Sequence, residues 1–226
     1  MDHESVFIIG VSGGTGSGKS SVVEVLKHQF PQDVSVLSFD NYYKEQHDLS
    51  YEEKRMKNYD CPDAFDFDLI YDHILQLSKW EAIECPIYDF SIDDRTDESI
   101  LIEPKKILIV EGIFALYDER IRNLYNTKIY VSVDKDVRIL RRLKRDVEER
   151  GRTIDDIIRQ YLKTVKPMHE KYVSHTKRYA NIVIPKGASN KVAINMLIAH
   201  IRNYTNMWDL EKEYGFEPLK FFEDFD

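Results

Sequence analysis

The feature of the sequence that most constrains its fold is a glycine-rich stretch near the start, Gly13-Gly14-Thr15-Gly16-Ser17-Gly18-Lys19-Ser20. It satisfies the pattern G-x-x-x-x-G-K-[ST], with an apolar, β-rich run before it at residues 6–9 and a helical pattern after it at residues 20–30. Glycines let successive backbone N–H groups point inward as an anion nest, and the following helix N-terminus adds partial positive charge. The stretch therefore predicts a phosphate-binding loop between a strand and a helix.

The rest of the chain alternates between strand and helix patterns. Apolar runs predict further strands at residues 34–39, 107–110, 128–133 and 182–184. Helical spacing of apolar residues predicts helices at 69–77, 137–149, 154–172 and 192–204. This alternation predicts an α/β fold with a mostly parallel sheet covered by helices on both faces, whose ligands bind beyond the carboxyl ends of the strands. No linker or repeat divides the chain, so we expect a single domain over residues 1–226.

Composition excludes several classes of protein. The net charge of −8 argues against a general nucleic-acid binder, which needs a basic face to displace counterions from phosphates. No apolar run approaches the roughly 20 residues of a membrane-spanning helix, and the acidic N-terminus is unlike a signal peptide. Cys61 and Cys85 form no zinc-ligand spacing with histidines. We expect a soluble, cytoplasmic protein without a nucleic-acid or membrane partner.

Two carboxylates stand at the ends of predicted strands. Glu111 follows residues 107–110 and would lie where a metal ion sits, whereas Asp40 ends the strand at 34–39 and is placed to act as a general base. Lys19 would reach the β- and γ-phosphates and the Ser20 hydroxyl would bind Mg²⁺. The plainer alternatives are a solvated strand-end Glu and a turn-capping Asp. The chain carries neither the N-K-x-D and D-x-x-G motifs of guanine-nucleotide switches nor the G-x-G-x-x-G of dinucleotide enzymes.

A basic segment stands out in this acidic chain. Its arginines at 138, 141, 142 and 145 share one helical face by their spacing, and two more follow at 150 and 152. Such a face suits a lid that neutralises charge on a transferring phosphoryl group. The alternative is a solvated helix whose charge is offset by Asp146, Glu148 and Glu149.

With these motifs assembled, the chain resembles the uridine–cytidine kinase (uridine kinase) family of P-loop small-molecule kinases over nearly all of residues 6 to 205. Besides the phosphate loop, the resemblance rests on an ordered series of motifs: Asp40-Asn41-Tyr42-Tyr43, Asn58-Tyr59-Asp60-Cys61-Pro62-Asp63, Pro86-Ile87-Tyr88-Asp89-Phe90, Val110-Glu111-Gly112-Ile113, Arg141-Arg142-Leu143-Lys144-Arg145-Asp146 and Glu149-Arg150-Gly151-Arg152. Gln160-Tyr161 and Ile184-Pro185-Lys186-Gly187 complete the series.

The resemblance implies a P-loop kinase fold with nucleoside-binding insertions at about 41–102 and an Arg-rich lid at about 136–155. The tail at 209–226, which is acidic and aromatic by composition, lies beyond the resemblance and has no assigned role. The resemblance implies transfer of phosphate from ATP (or GTP), with Mg²⁺, to the 5′-hydroxyl of uridine or cytidine in pyrimidine salvage. It also implies a homotetramer that CTP inhibits.

The resemblance assigns roles to residues as well. The implied catalytic residues are Asp40, Lys19 and Arg145. The implied ATP-binding residues are Gly13, Gly14, Thr15, Gly16, Ser17, Gly18, Lys19, Ser20, Ser21, Arg145 and Arg150. The implied substrate-binding residues are Asp40, Tyr43, Asp60, Tyr88, Phe90, Asp93, Arg142, Arg152 and Gln160. The implied metal-binding residues are Ser20, Glu111 and Asp40.

The sequence departs from the family pattern at three positions. Asp93 stands where the family has a His that reads the pyrimidine edge, Cys61 replaces another His, and Ser189 replaces an Asp near the adenine. An ionised Asp only accepts hydrogen bonds, so Asp93 would favour the amino group of cytidine over uridine, with adenosine a more distant alternative. Alternatively, Asp93 and Asp94 only cap a solvent-facing turn. At the level of function, the alternatives are a kinase for another hydroxylated metabolite, such as pantothenate or ribulose 5-phosphate, and a catalytically silent nucleotide-binding regulator.

Overall fold

The computed structural model describes the backbone of residues 5–214 and their side chains, except those at 51, 55, 56 and 205–214. The chain divides into two compact units, Met1–Asn190 and Lys191–Asp226. Every strand among the described residues belongs to the first unit. The expectation of one domain over residues 1–226 stays a prediction, and most of the expected tail, residues 215–226, lies outside the described residues.

Seven strands are present in the described part of the chain. They are β1 (Phe7–Ser12), β2 (Val34–Ser38), β3 (Ile83–Asp89), β4 (Asp94–Ile102), β5 (Ile107–Glu111), β6 (Thr127–Ser132) and β7 (Ile182–Pro185). Five of them form one parallel sheet in the order β2-β5-β1-β6-β7. All six residues of β1 are buried, which is why this strand reads as a continuous apolar run instead of an alternating one. The predicted α/β fold with a mostly parallel sheet is confirmed, and every predicted strand is present.

Eight α-helices accompany the strands in residues 5–214. They are α1 (Lys19–Gln29), α2 (Tyr51–Met56), α3 (Phe67–Ser78), α4 (Glu119–Arg122), α5 (Lys135–Glu148), α6 (Ile154–Gln160), α7 (Lys166–Met168) and α8 (Lys191–Tyr214). The helix predicted at 154–172 is present but irregular, with π-helical turns at Tyr161–Val165 and His169–Val173 on either side of α7. Pro167 lies within α7 and has no N–H to donate, so a regular hydrogen-bond ladder cannot continue through it. Helix α8, in the second unit, extends ten residues beyond the predicted end at 204.

The segment between β2 and β5 is more ordered than the sequence indicates. Residues 41–68 read as irregular, yet they contain α2, a 3₁₀ turn at Pro62–Ala64 and the start of α3. A capping box between Ser50 and Glu53 begins α2, and the Asp66 side chain accepts a hydrogen bond from the Leu69 N–H at the start of α3. Strands β3 and β4 pair as an antiparallel hairpin. The insertion therefore has helices and strands of its own, in addition to those of the central sheet.

This insertion and one face of the sheet share a hydrophobic core. Phe39, Phe65 and Phe114 are fully buried in it, with the rings of Phe65 and Phe114 in an edge-to-face contact at 5.3 Å. A Cβ atom on Gly112 would collide with the Phe39 side chain, so only glycine permits this approach of β5 to the end of β2. Because Asp40 follows Phe39 directly, the core fixes the position of the Asp40 backbone. Among the described residues, no helix is long and apolar enough to cross a membrane.

Candidate active site

The glycine-rich stretch forms the predicted loop between β1 and α1. Gly16 and Gly18 have φ angles of 73° and 85°, in the left-handed region that glycine adopts without strain. A Cβ on Gly13 would lie 2.5 Å from the Val131 carbonyl oxygen, so this position tolerates no side chain either. Helix α1 begins at Lys19, immediately after the loop. Backbone N–H groups and the helix N-terminus therefore converge on one point, as a phosphate site requires.

Glu111 and Ser38 lie side by side at the carboxyl ends of β5 and β2, where they are partners in the parallel register. Ser20 and Ser38 each donate a hydroxyl hydrogen bond to Glu111 Oε1, at 3.2 Å and 3.4 Å. Burial raises the pKa of Glu111, against the opposing effect of the Lys19 charge. Burial likewise lowers the pKa of Lys19, which the charges of Glu111 and Asp40 counteract. The opposite charges of Lys19 and Glu111 therefore offset part of the cost of burying each other.

Glu111, Asp40 and Ser20 form a donor set that fits Mg²⁺. Mg²⁺ in kinases binds one or two carboxylates and completes its shell with water and substrate phosphates. In the described residues, no group of three or more His, Cys, Asp and Glu side chains is arranged to hold a metal ion. A metal ion at this place would therefore depend on oxygens of a bound nucleotide, as in other phosphoryl-transfer sites.

Aromatic side chains from the insertion line the opposite part of the cleft. The ring centroids of Tyr43 and Tyr88 are 4.8 Å apart, and those of Tyr88 and Phe90 are 5.0 Å apart. Tyr59 contacts Tyr43 edge to face at 5.8 Å. The register of the β3–β4 hairpin shifts between Pro86 and Tyr88, and such an irregularity changes the direction of the side chains that follow it. The resulting apolar surface can hold a flat ring.

Asp60 lies deep beside these rings. Its Oδ2 accepts a hydrogen bond of 2.9 Å from the Thr164 hydroxyl. Burial raises the pKa of Asp60, while the Arg142 charge and the Thr164 hydrogen bond act in the opposite direction. An ionised carboxylate here can accept hydrogen bonds from two adjacent hydroxyl groups of a ligand.

Asp93 lies at the turn of the β3–β4 hairpin with a φ of 53°, a left-handed conformation that Asp adopts more readily than most residues. Its Oδ1 is 3.7 Å from Arg152 Nη2. The next residue, Asp94, is buried and accepts hydrogen bonds of 2.8 Å from the Gln46 N–H and from Lys54 Nζ. Burial acts to raise the pKa of Asp94, but these hydrogen bonds outweigh it and the pKa is lowered. Asp94 therefore does not only cap a solvent-facing turn, because it connects the hairpin to the residues before and within α2; for Asp93 the two alternatives stay predictions.

The arginine-rich segment faces the cleft. Arg138, Arg142 and Asp146 are the buried residues of α5, whereas Arg141 is exposed. Arg142 donates to the Thr15 hydroxyl at 3.2 Å, which connects the segment to the phosphate loop. The Arg150 guanidinium lies over the Phe90 ring, 4.1 Å from its centroid. The alternative of a fully solvated helix is therefore wrong for α5.

Gln160 joins two of these arginines. Its Oε1 accepts hydrogen bonds of 2.8 Å from both Arg142 Nη2 and Arg152 Nη1. Because Arg142 lies in α5 and Arg152 in the turn before α6, the contact connects both ends of the segment to the end of α6.

One cleft brings most of the predicted residues together. The predicted residues that line it are Thr15, Lys19, Ser20, Asp40, Tyr43, Asp60, Tyr88, Phe90, Asp93, Glu111, Arg142, Arg145, Arg150, Arg152 and Gln160. The predicted residues that do not line it are Gly13, Gly14, Gly16, Ser17, Gly18 and Ser21. The four glycines and Ser17 shape the phosphate loop, whereas Ser21 is exposed on the first turn of α1.

Sequence reasoning missed four residues of this region. Tyr59 and Ile113 line the cleft, and Ser38 and Thr164 donate hydrogen bonds to its carboxylates. Two of them had a signal in the sequence. Ser38 stands two residues before Asp40, at the end of the strand predicted at 34–39, and Thr164 stands four residues after Gln160, on the same face of a helix. Nothing in the local sequence marks Ile113.

Comparison with known proteins agrees with this geometry. The sequence model of the Phosphoribulokinase / Uridine kinase family matches residues 8–193. The chain belongs to this family. It is 49% identical over 197 residues to a uridine kinase of Clostridium botulinum (strain 657 / Type Ba4), covering 87% of this chain and 96% of that one. It is 50% identical over 196 residues to a uridine kinase of Geobacillus kaustophilus (strain HTA426), covering 86% of this chain and 93% of that one.

Solved structures share the fold. Phosphoribulokinase from Rhodobacter spheroides superposes with a TM-score of 0.59 over 80% of this chain and 70% of that one, at 12% identity. An identity so low supports the fold alone. Together, the superposition and the family match confirm the P-loop kinase fold. The family match also confirms the resemblance that the sequence motifs indicate.

Proposed function

We propose that the protein transfers the γ-phosphoryl group of ATP to the 5′-hydroxyl of a pyrimidine ribonucleoside, forming UMP or CMP in pyrimidine salvage. The observation that carries this proposal is the single cleft, in which a phosphate loop and two strand-end carboxylates meet a pocket of stacked aromatic rings under an arginine-rich segment. The curated relatives named uridine kinase, which match most of this chain, support the same conclusion.

The residues of the cleft divide the chemistry between them. Asp40 accepts the proton of the 5′-hydroxyl, and the hydroxyl oxygen attacks the γ-phosphorus. The bond between the γ-phosphorus and the β–γ bridging oxygen breaks at the same time, and ADP leaves. Lys19 and the loop N–H groups hold the phosphates, and Arg145 stabilises the charge that develops on the transferred group. Ser20 and Glu111, with Asp40 through water, would hold Mg²⁺, which would neutralise negative charge on the nucleotide phosphates.

The nucleoside fits the opposite part of the cleft. Asp60 would accept hydrogen bonds from the ribose hydroxyls, held in place by Thr164. Tyr43, Tyr88 and Phe90 would stack on or flank the base, whereas Arg142, Arg152 and Gln160 would position the sugar and the base edge. Asp60 and Asp40 line the same cleft, so a ribose bound at Asp60 would direct its 5′-hydroxyl to Asp40 and the phosphate loop.

Asp93 sets the preference for the base in this proposal. Its Oδ1 lies 3.7 Å from Arg152 Nη2, and an ionised carboxylate at this place would accept the N4 amino hydrogens of cytosine. The O4 of uracil is an acceptor too, and two acceptors facing each other cost about 1–3 kcal/mol each when buried. Uracil retains its N3–H donor, and the neighbouring Arg152 offers a donor to O4. We therefore infer a preference for cytidine over uridine without exclusion of uridine.

Further properties follow from the family and the charge of the chain. We propose ATP with Mg²⁺ as the donor, with GTP as an alternative donor, a homotetramer inhibited by CTP, and a cytoplasmic location. A net charge of −8 is unsuited to nucleic-acid binding, so small-molecule nucleosides and nucleotides are the expected partners.

The experiment that tests the proposal is a panel of acceptors with ATP and Mg²⁺, in which the phosphorylated product is identified by mass. Cytidine and uridine should give 5′-monophosphates, cytidine with the higher kcat/KM. Product from pantothenate or ribulose 5-phosphate but not from nucleosides would replace the proposed substrate. ATP binding without turnover of any acceptor would indicate a silent nucleotide-binding protein. Repeating the assay with GTP ranks the two donors.

A further inference from the structure

The arginine-rich segment contains a carboxylate that belongs to none of the roles described above. Asp146 is fully buried on the inner face of α5 and does not line the cleft. Its Oδ1 accepts hydrogen bonds from Nε and Nη2 of Arg145, at 2.9 Å and 2.7 Å. Its Oδ2 is 3.3 Å from Arg142 Nε, and its Oδ1 is 3.8 Å from Arg150 Nη1. One carboxylate thus contacts three arginines that do line the cleft.

These arginines repel one another. Burial lowers the pKa values of Arg142 and Arg150, and the Arg145 charge lowers both of them further. A cluster of like charges of this kind would separate into solvent if nothing opposed the repulsion. Asp146 supplies the opposite charge at the centre of the cluster, from the side away from the cleft.

The backbone of Asp146 orders the same region. Its carbonyl oxygen accepts a hydrogen bond of 3.0 Å from the Arg152 N–H, which closes the turn between α5 and α6. The side chain therefore fixes the directions of Arg142, Arg145 and Arg150, while the main chain fixes where Arg152 leaves the turn. All four arginines of the cleft therefore contact this one residue, three through its side chain and Arg152 through its carbonyl oxygen.

We propose that Asp146 is a positioning residue for phosphoryl transfer, which holds Arg142, Arg145 and Arg150 with their guanidinium groups toward the cleft before nucleotide binds. The inference rests on the proposed kinase function. Asp146 contacts no substrate in this scheme. It acts through the arginines, whose order before binding reduces the reorganisation needed when charge develops on the transferred group.

A merely structural role for Asp146 makes a different prediction. If Asp146 only neutralises buried charge, its replacement would lower the free energy of unfolding and leave kcat of the folded molecules unchanged. A positioning residue lowers kcat in molecules that are still folded, because the lost interaction matters most in the transition state.

The experiment compares kcat and KM of the wild type, Asp146→Asn and Asp146→Glu, with active sites counted by ATP binding. We expect Asp146→Asn to lower kcat about 10- to 100-fold with a smaller change in KM for the nucleoside, and Asp146→Glu to recover part of the loss. The control is Asp118→Asn, which removes another arginine-bound carboxylate: Asp118 accepts from Arg120 and caps α4, away from the cleft. It should lower stability without lowering kcat.

A double-mutant cycle with Arg145→Met tests the path of the effect. If Asp146 acts through Arg145, then Asp146→Asn should lower kcat less in the Arg145→Met background than in the wild type. Equal effects in both backgrounds, or a normal kcat for folded Asp146→Asn, would overturn the proposal. Should Asp146→Asn not fold, the same cycle with Asp146→Glu decides by the same criterion. Failure of the proposed function would instead show in the wild type, as absent nucleoside phosphorylation.

Discussion

Replacement of Thr164 by valine tests whether Asp60 binds the sugar. The change keeps the size of the side chain and removes the 2.9 Å hydrogen bond to Asp60 Oδ2. A hydrogen bond to a charged group contributes about 1.5–3 kcal/mol, which corresponds to about a 10- to 150-fold change in an equilibrium constant. Because Arg142 still supports the Asp60 charge, we expect the lower half of this range.

The loss should appear as a rise in KM for the nucleoside, with KM for ATP nearly unchanged, in steady-state assays that vary one substrate at a time. It should also change the pH profile. Burial raises the pKa of Asp60, and the Thr164 hydrogen bond opposes that rise, so Thr164→Val should raise the pKa further. Only ionised Asp60 can accept hydrogen bonds at both oxygens from two ribose hydroxyls, so kcat/KM for the nucleoside should begin to fall at a higher pH than in the wild type as the pH is lowered.

Thr176→Val is the matched control, because Thr176 is a buried threonine whose hydroxyl donates to the Val173 carbonyl outside the cleft. It should leave both KM values and the pH profile unchanged. If Thr164→Val also leaves them unchanged while the protein stays folded, the reasoning that places the sugar against Asp60 is refuted.

Four further substitutions test the other parts of the site. Asp40→Asn should lower kcat about 10²–10⁴-fold while ATP binding measured by calorimetry is retained, because an amide cannot accept the hydroxyl proton; near-normal turnover would exclude Asp40 as the base. Arg142→Ala and Arg152→Ala should each lower kcat/KM much more than they lower the melting temperature; a loss of activity that only follows unfolding would return these arginines to a structural role. Asp93→His should shift the ratio of kcat/KM for cytidine and uridine toward uridine; equal use of both nucleosides by the wild type, unchanged in the variant, would remove Asp93 from base recognition.

The central sheet and the phosphate loop could be predicted because their signals are local. Each strand of the sheet is a short apolar run, and the strand-to-helix loop carries a spacing of glycines, Lys and Ser that few other structures require. Lys19, Glu111 and Asp40 meet because the carboxyl ends of parallel strands lie at one edge of the sheet, a rule that holds without knowledge of the packing.

Short elements and buried pairs could not be predicted in the same way. Helix α2 has only six residues, too few for an apolar period, although the capping box of Ser50 and Glu53 marks its start. The burial of Asp94 depends on Gln46 and Lys54, which are distant in the sequence. The burial of Asp146 depends on which face of α5 turns inward. Charged residues on a helix are usually exposed, so their sequence gives no sign that one of them is a buried counter-ion.

The shared hydrogen bonds of Gln160 have a stereochemical consequence for a bound nucleoside. Because the amide oxygen already accepts from Arg142 and Arg152, the amide nitrogen is the polar atom of this side chain that remains to meet a ligand. Toward a base, Gln160 is therefore a hydrogen donor whose polarity cannot be reversed by a flip of the amide, since a flip would set two donors against two guanidinium groups. Such a donor matches the O2 carbonyl that uracil and cytosine have in common. Gln160 would therefore favour pyrimidine nucleosides over ligands without this carbonyl, but it would not distinguish uridine from cytidine.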